Sequence, residues 1–199
     1  MIDRRALLAS GLMLPGAALA AKLAPPDLEV NEAAVHWPIG EGRELHGYMA
    51  IPARARGRQP AVLVIGGLDA PDSFARALAK SVAQAGFVAC TVNRATTTPA
   101  RLTDDMRATA AWLANGRYGT GRVGAIGVAG GVDTVIALAA TKTVTAAVTF
   151  GDTLTVVDTP ILAYRRAGSG WVSPVDPGEP ADWAEAWPRA LAYLRERLV

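Results

Sequence analysis

A single cysteine, Cys90, occurs among the 199 residues, so no disulfide can close within the chain and a zinc–cysteine cluster is excluded. It lies in the apolar run Phe87-Val88-Ala89-Cys90-Thr91-Val92, where it reads as a small buried hydrophobe rather than a reactive thiol. Histidine is almost as scarce. His36 and His46 are the only two, too few for a convincing metal site, and both read as edge or surface residues. No metal and no cofactor is expected. The formal net charge is only +2 and no basic run could track a phosphate backbone, which argues against a nucleic-acid partner. After the first twenty residues no targeting or membrane segment appears, so no membrane span is expected in the mature chain.

Those first twenty residues carry their own signal. Asp3-Arg4-Arg5 precedes a mildly apolar stretch that Pro15 and Gly16 interrupt, and Ala18-Leu19-Ala20 offers a small-x-small cleavage site. The paired arginines resemble the bacterial twin-arginine export signal, with a general secretory signal as the rival. The expectation is removal of residues 1–20 near Ala20, a periplasmic or secreted location, and one domain over 21–199. Removing Asp3, Arg4 and Arg5 leaves a net charge of +1.

The remainder alternates. Residues 25–31 read as a lead-in, followed by strands at 33–39 and 44–51 around the turn Gly40-Glu41-Gly42. The basic stretch from Pro52 to Gln59 reads as a solvated loop. Ala61–Ile65 is continuously apolar, as a strand covered on both faces must be. Helices are expected at 73–85, 103–115, 132–140 and from about 182 to 198, with strands at 87–92, 123–128, 145–150 and 160–164. Phe74, Leu78 and Val82 are spaced four apart on one face of the first helix. Asp182 and Glu185 have capping-box spacing for the last, and Pro188 is expected to bend or delay it. No repeat, low-complexity tract or linker divides the chain. The pattern predicts one α/β domain with a mostly parallel sheet and helices on both faces.

Ile126-Gly127-Val128-Ala129-Gly130-Gly131 has the form of a nucleophile elbow, the sharp strand-to-helix turn whose flanking positions must be small. Gly127 and Gly131 keep that spacing. Between them stands Ala129, which has no atom able to attack a carbonyl. The turn and the chemistry disagree.

Several collinear segments resemble the dienelactone hydrolase family of the α/β-hydrolase fold. They are Gly42-Arg43-Glu44-Leu45-His46-Gly47-Tyr48 with Pro52, Pro60–Val64, Leu78-Ala79 through Ala85–Ala89, Val123–Gly127, Ala146–Gly151, Thr159–Leu162, and Ala186-Trp187. The resemblance spans about residues 33 to 198. It implies an ester- or lactone-hydrolase fold with a Cys or Ser nucleophile, then an Asp, then a His. Carried onto this sequence, the nucleophile position is Ala129 and the acid position falls near Ser169, while no histidine follows His46. The stretch from Ser169 to the last helix is also too short for the family's usual helix plus strand. An engineered alanine would leave the other two partners in place, so natural divergence is the better account.

Among residues that remain, Asp133 and Asp152 lie at or just beyond strand ends, where open α/β sheets bind ligands. They are the candidate substitutes for acid/base work, against ordinary capping and turn roles. Amides of Gly130 and of Gly67 or Leu68 are placed to converge as an oxyanion hole does, with Gly66 and Arg94 near them. Trp171, Trp183 and Trp187 are expected to close the core, with a ligand wall as the alternative. The leading expectation is an exported pseudo-hydrolase that binds a small carboxylate or carbonyl ligand, or a protein partner, in the old cleft. A hydrolase using nonstandard groups and a purely structural or assembly protein are the alternatives.

Overall fold

The computed structural model describes residues 28–66, 72–152, 157–167, 170–173 and 176–199, with backbone alone over 166–181. Residues 1–20, where an export signal is expected, and Gly67, Leu68 and Ser169 therefore lie outside the described residues, as does the side chain of Trp171.

The apolar runs become strands and the four-spaced segments become helices. The strands are β1 (Val30–Gly40), β2 (Arg43–Pro52), β3 (Gln59–Ile65), β4 (Val88–Val92), β5 (Gly119–Val128), β6 (Ala146–Phe150), β7 (Ile161–Ala167), β8 (Gly170–Ser173) and β9 (Asp176–Ala181). The helices are α1 (Asp72–Gln84), α2 (Leu102–Asn115), α3 (Val132–Ala140) and α4 (Trp183–Leu198). One sheet joins the strands in the order β1-β2-β4-β3-β5-β6-β7-β8-β9. Its five central strands, β4 to β7 in that order, are parallel, and antiparallel strands flank them on both sides.

Alternation along the central strands feeds two cores. Val62, Val64, Ile126 and Val148 face α1 and α4, meeting Leu78, Val82, Leu191 and Leu194. Ala61, Leu63, Ala125 and Ala147 face α2 and α3, meeting Met106, Leu113, Val135 and Leu138. Burial on both faces is why these strands read as apolar runs rather than alternating ones. Cys90 is fully buried in the second core, and desolvation pushes its thiol up to about 12.

The hairpin is tied down by polar contacts. Asp105 of α2 is 2% exposed, and Arg43 of β2 grips its two carboxylate oxygens at 3.1 Å each. Thr97 donates a third bond to it at 2.7 Å. Beside them Trp37 donates to Thr109 and stacks on Trp112.

Some expectations need correction. β1 already begins at Val30, inside the expected lead-in, because pairing continues from Ala33 opposite Met49 out to Val30 opposite Pro52. Pro188 does not delay the last helix. Asp182 accepts the Glu185 amide at 3.0 Å and starts α4 at Trp183, leaving proline inside it. The segment before α4 holds two short antiparallel strands, β8 and β9, in place of a helix and strand. β9 carries Pro177 and Pro180, which an edge strand tolerates and a central one does not.

Candidate functional site

β5 ends at Val128, Ala129–Gly131 form a single 3-10 turn, and α3 starts at Val132. Sheet register sets Gly127 beside Ile65 of β3 and Val128 beside Phe150 of β6, so the turn rises between the carboxyl ends of those strands. Ala129 has φ +49°, a left-handed conformation that costs a non-glycine residue about 1–2 kcal/mol. Among the described residues, the other non-glycines with positive φ are Glu41 and Lys142, both in turns. The strained position of this turn is therefore occupied by an alanine.

The two glycines explain how the strain is held. A Cβ on Gly131 would lie 2.1 Å from the Ile65 carbonyl oxygen. One on Gly127 would lie 2.9 Å from the Gly131 oxygen and from a Val135 methyl. Helix, turn and strands touch backbone to backbone here, and only glycine leaves the room.

A cavity of about 310 Å³ opens beside the turn, lined by Phe74, Val128, Ala129, Phe150, Gly151, Asp152 and Trp183. That volume is at the lower end of the small-molecule range. Behind it stands an aromatic stack. Phe150 lies flat on Tyr164 at 4.8 Å and tilts against Trp183 at 4.7 Å. Trp183 stacks on Trp187 at 5.2 Å, and Trp187 donates to Ser81 at 2.8 Å.

The structure sorts the candidate residues unevenly. Ala129 and Asp152 share the cavity wall. Gly130 is exposed on the turn, and Gly66 follows the end of β3 without lining the cavity. Asp133 is exposed in the first turn of α3 and does not line it either, a position that suits the helix dipole. Arg94 lies in the short turn Arg94–Thr96 after β4. Its Nε donates to Asp72 at 3.1 Å, and the residue is not part of the wall. Gly67, Leu68 and Ser169 are outside the described residues. His36 and His46 face each other across the β1–β2 hairpin with ring centroids 6.2 Å apart. Among the described residues no cluster of three metal-ligating side chains occurs.

Sequence reasoning missed Phe74 and undervalued Trp183. Phe74 shares one face of α1 with the buried Leu78 and Val82, yet it is 43% exposed at the cavity. Trp183 is 37% exposed there, whereas Trp187 belongs to the core. Their shared signal is position: each sits in the first turn of a helix, at the sheet end where ligands bind.

No family profile and no curated protein matches the sequence. Solved structures do match the fold. The chain covers 85% of itself and 78% of a dienelactone hydrolase-like promiscuous phosphotriesterase from metagenomic libraries, at 20% identity and TM-score 0.55. It covers 84% of itself and 82% of a candidate dienelactone hydrolase from Klebsiella pneumoniae subsp. pneumoniae MGH 78578, at 17% identity and TM-score 0.53. With brefeldin A esterase, a bacterial homologue of human hormone-sensitive lipase, it shares 19% identity and TM-score 0.50 over 64% of itself. It spans only 40% of that esterase. Identities this low establish the fold alone: an α/β domain with a mostly parallel sheet, similar to dienelactone hydrolase-like α/β-hydrolases.

Proposed function

We propose that this chain is a non-catalytic protein of the dienelactone hydrolase-like α/β-hydrolase kind, holding a small carbonyl-bearing ligand in the cleft beside Ala129. The observation that carries the reading is an open cavity set against a retained elbow. The cavity opens where Val128 and Phe150 end their strands, the end of an open α/β sheet at which ligands bind. The sequence supports the loss of turnover, with alanine at the nucleophile position, Ser169 at the aligned acid position and no histidine after His46. His46 is no substitute base. β2 is three strands from β5, roughly 14 Å at the usual strand spacing. The alternative, hydrolysis by nonstandard carboxylates, is weakened because Asp152 is on the cavity wall and Asp133 is not. Export to the periplasm, with removal of residues 1–20, belongs to the same proposal.

The test is ligand binding by the purified protein, read by thermal shift against lactones, esters and ketones, with Ala129→Trp as the blocked control. Binding that the tryptophan abolishes is expected. Equal binding by the blocked variant would refute the location, and a protein found only in the cytosol after fractionation would refute export.

A further inference from the structure

We infer that the ligand held in this cleft carries an organic cation, a tertiary or quaternary ammonium group. The inference rests on the ligand-binding reading above and adds the ligand's chemical class. Its basis is the composition of the wall. Asp152 is the one charged side chain lining the cavity among the described residues, and it is exposed to solvent. It has no hydrogen-bond or ion-pair partner among those residues. A carboxylate ligand would meet that charge as a repulsion, whereas a cation would be attracted.

The remaining wall is aromatic. Large apolar side chains are ordinarily withdrawn from water, yet Phe74 and Trp183 keep 43% and 37% of their surface exposed at the same cavity. Aromatic faces carry negative charge density and attract cations, tryptophan most strongly. A sphere of about 310 Å³ is about 8 Å across, so an ammonium centred in a space of that volume would come within the roughly 6 Å reach of cation–π attraction from rings on its wall. Two exposed rings and one carboxylate with no partner among the described residues thus border a space of the right size. Such a ligand would place its ammonium against this wall and its carbonyl toward Ala129.

The probes are choline and 3,3-dimethylbutan-1-ol, which share a shape and differ by one charge, titrated against the full chain by tryptophan fluorescence and calorimetry. Choline is expected to bind at least roughly fivefold more tightly than the neutral isostere. Asp152→Asn, a surface change, should reduce that preference about threefold or more, and Trp183→Ala should reduce it further with the fold checked by circular dichroism. Equal affinity for both probes, lost in Ala129→Trp, would overturn the cation assignment and leave the ligand cleft standing. Binding of lactones or ketones without choline binding would do the same. Binding of none of these by the folded protein would overturn both.

Discussion

Replacing Gly131 by alanine separates a space requirement from a conformational one. Gly131 has φ −84° and ψ −8°, right-handed values that alanine adopts freely. Backbone conformation alone would favour the change, because alanine narrows the unfolded ensemble by about 0.4–1 kcal/mol relative to glycine. Against this, the new Cβ would meet the Ile65 carbonyl oxygen at 2.1 Å and its carbon at 2.7 Å. Both atoms belong to β3 backbone inside the sheet, so no side-chain rotation relieves them. The elbow must move by about 1 Å, and overpacking of this kind costs about 1–3 kcal/mol or more. The net expectation is a loss of about 2 kcal/mol, or roughly 4–8 °C in Tm for a domain of this size. Urea unfolding should show a lower midpoint with unchanged slope. Equal or greater stability would refute the close approach of turn and β3 on which the site's description rests.

Three further expectations concern the core. Asp105→Ala removes the buried end of a bidentate pair whose Arg43 partner still reaches solvent, and should lower stability by about 2 kcal/mol; an unmoved denaturation midpoint would contradict it. Thr149 is buried on β6 and its hydroxyl has no partner among the described residues, so Thr149→Val should stabilise by about 1 kcal/mol, and a loss would contradict this. Burial raises the Cys90 thiol from 9.0 to about 12, so its contribution to stability is complete below about pH 9 and is lost as pH climbs toward 12. Cys90→Ala should therefore lose stability less steeply across that window. The native thiol should also resist aromatic disulfide reagents until the protein unfolds, and fast native labelling would contradict its burial.

The order of the central strands and the helices was legible because each of those strands carries an apolar run, such as Ala61–Ile65 and Val123–Val128, and the intervening segments keep a helical repeat. The elbow was legible too, since Gly127 and Gly131 are dictated by backbone contacts that nothing larger survives. What escaped notice depends on tertiary placement. Phe74 shares its spacing with Leu78 and Val82, and only the position of α1's first turn over the sheet end turns it toward the cavity. Arg94 is expected near the cleft, and its ion pair with Asp72, 22 residues away in sequence, is visible only in the fold. β9 was hidden by its prolines, which speak against a strand wherever the neighbouring pairing is unknown. The early start of β5 at Gly119 was hidden in the same way. Gly119, Thr120 and Gly121 have weak strand preference, and it is pairing with Gln59 that recruits the first of them.

The claim at the centre of this account is that the elbow outlives the chemistry it once positioned. Steady-state hydrolysis of activated esters and lactones, by the native chain and by Ala129→Ser, tests it most directly. Neither should exceed the buffer rate, because a restored hydroxyl still lacks a histidine to activate it. Saturable turnover by the serine variant, or native turnover that Ala129→Trp abolishes, would contradict the account.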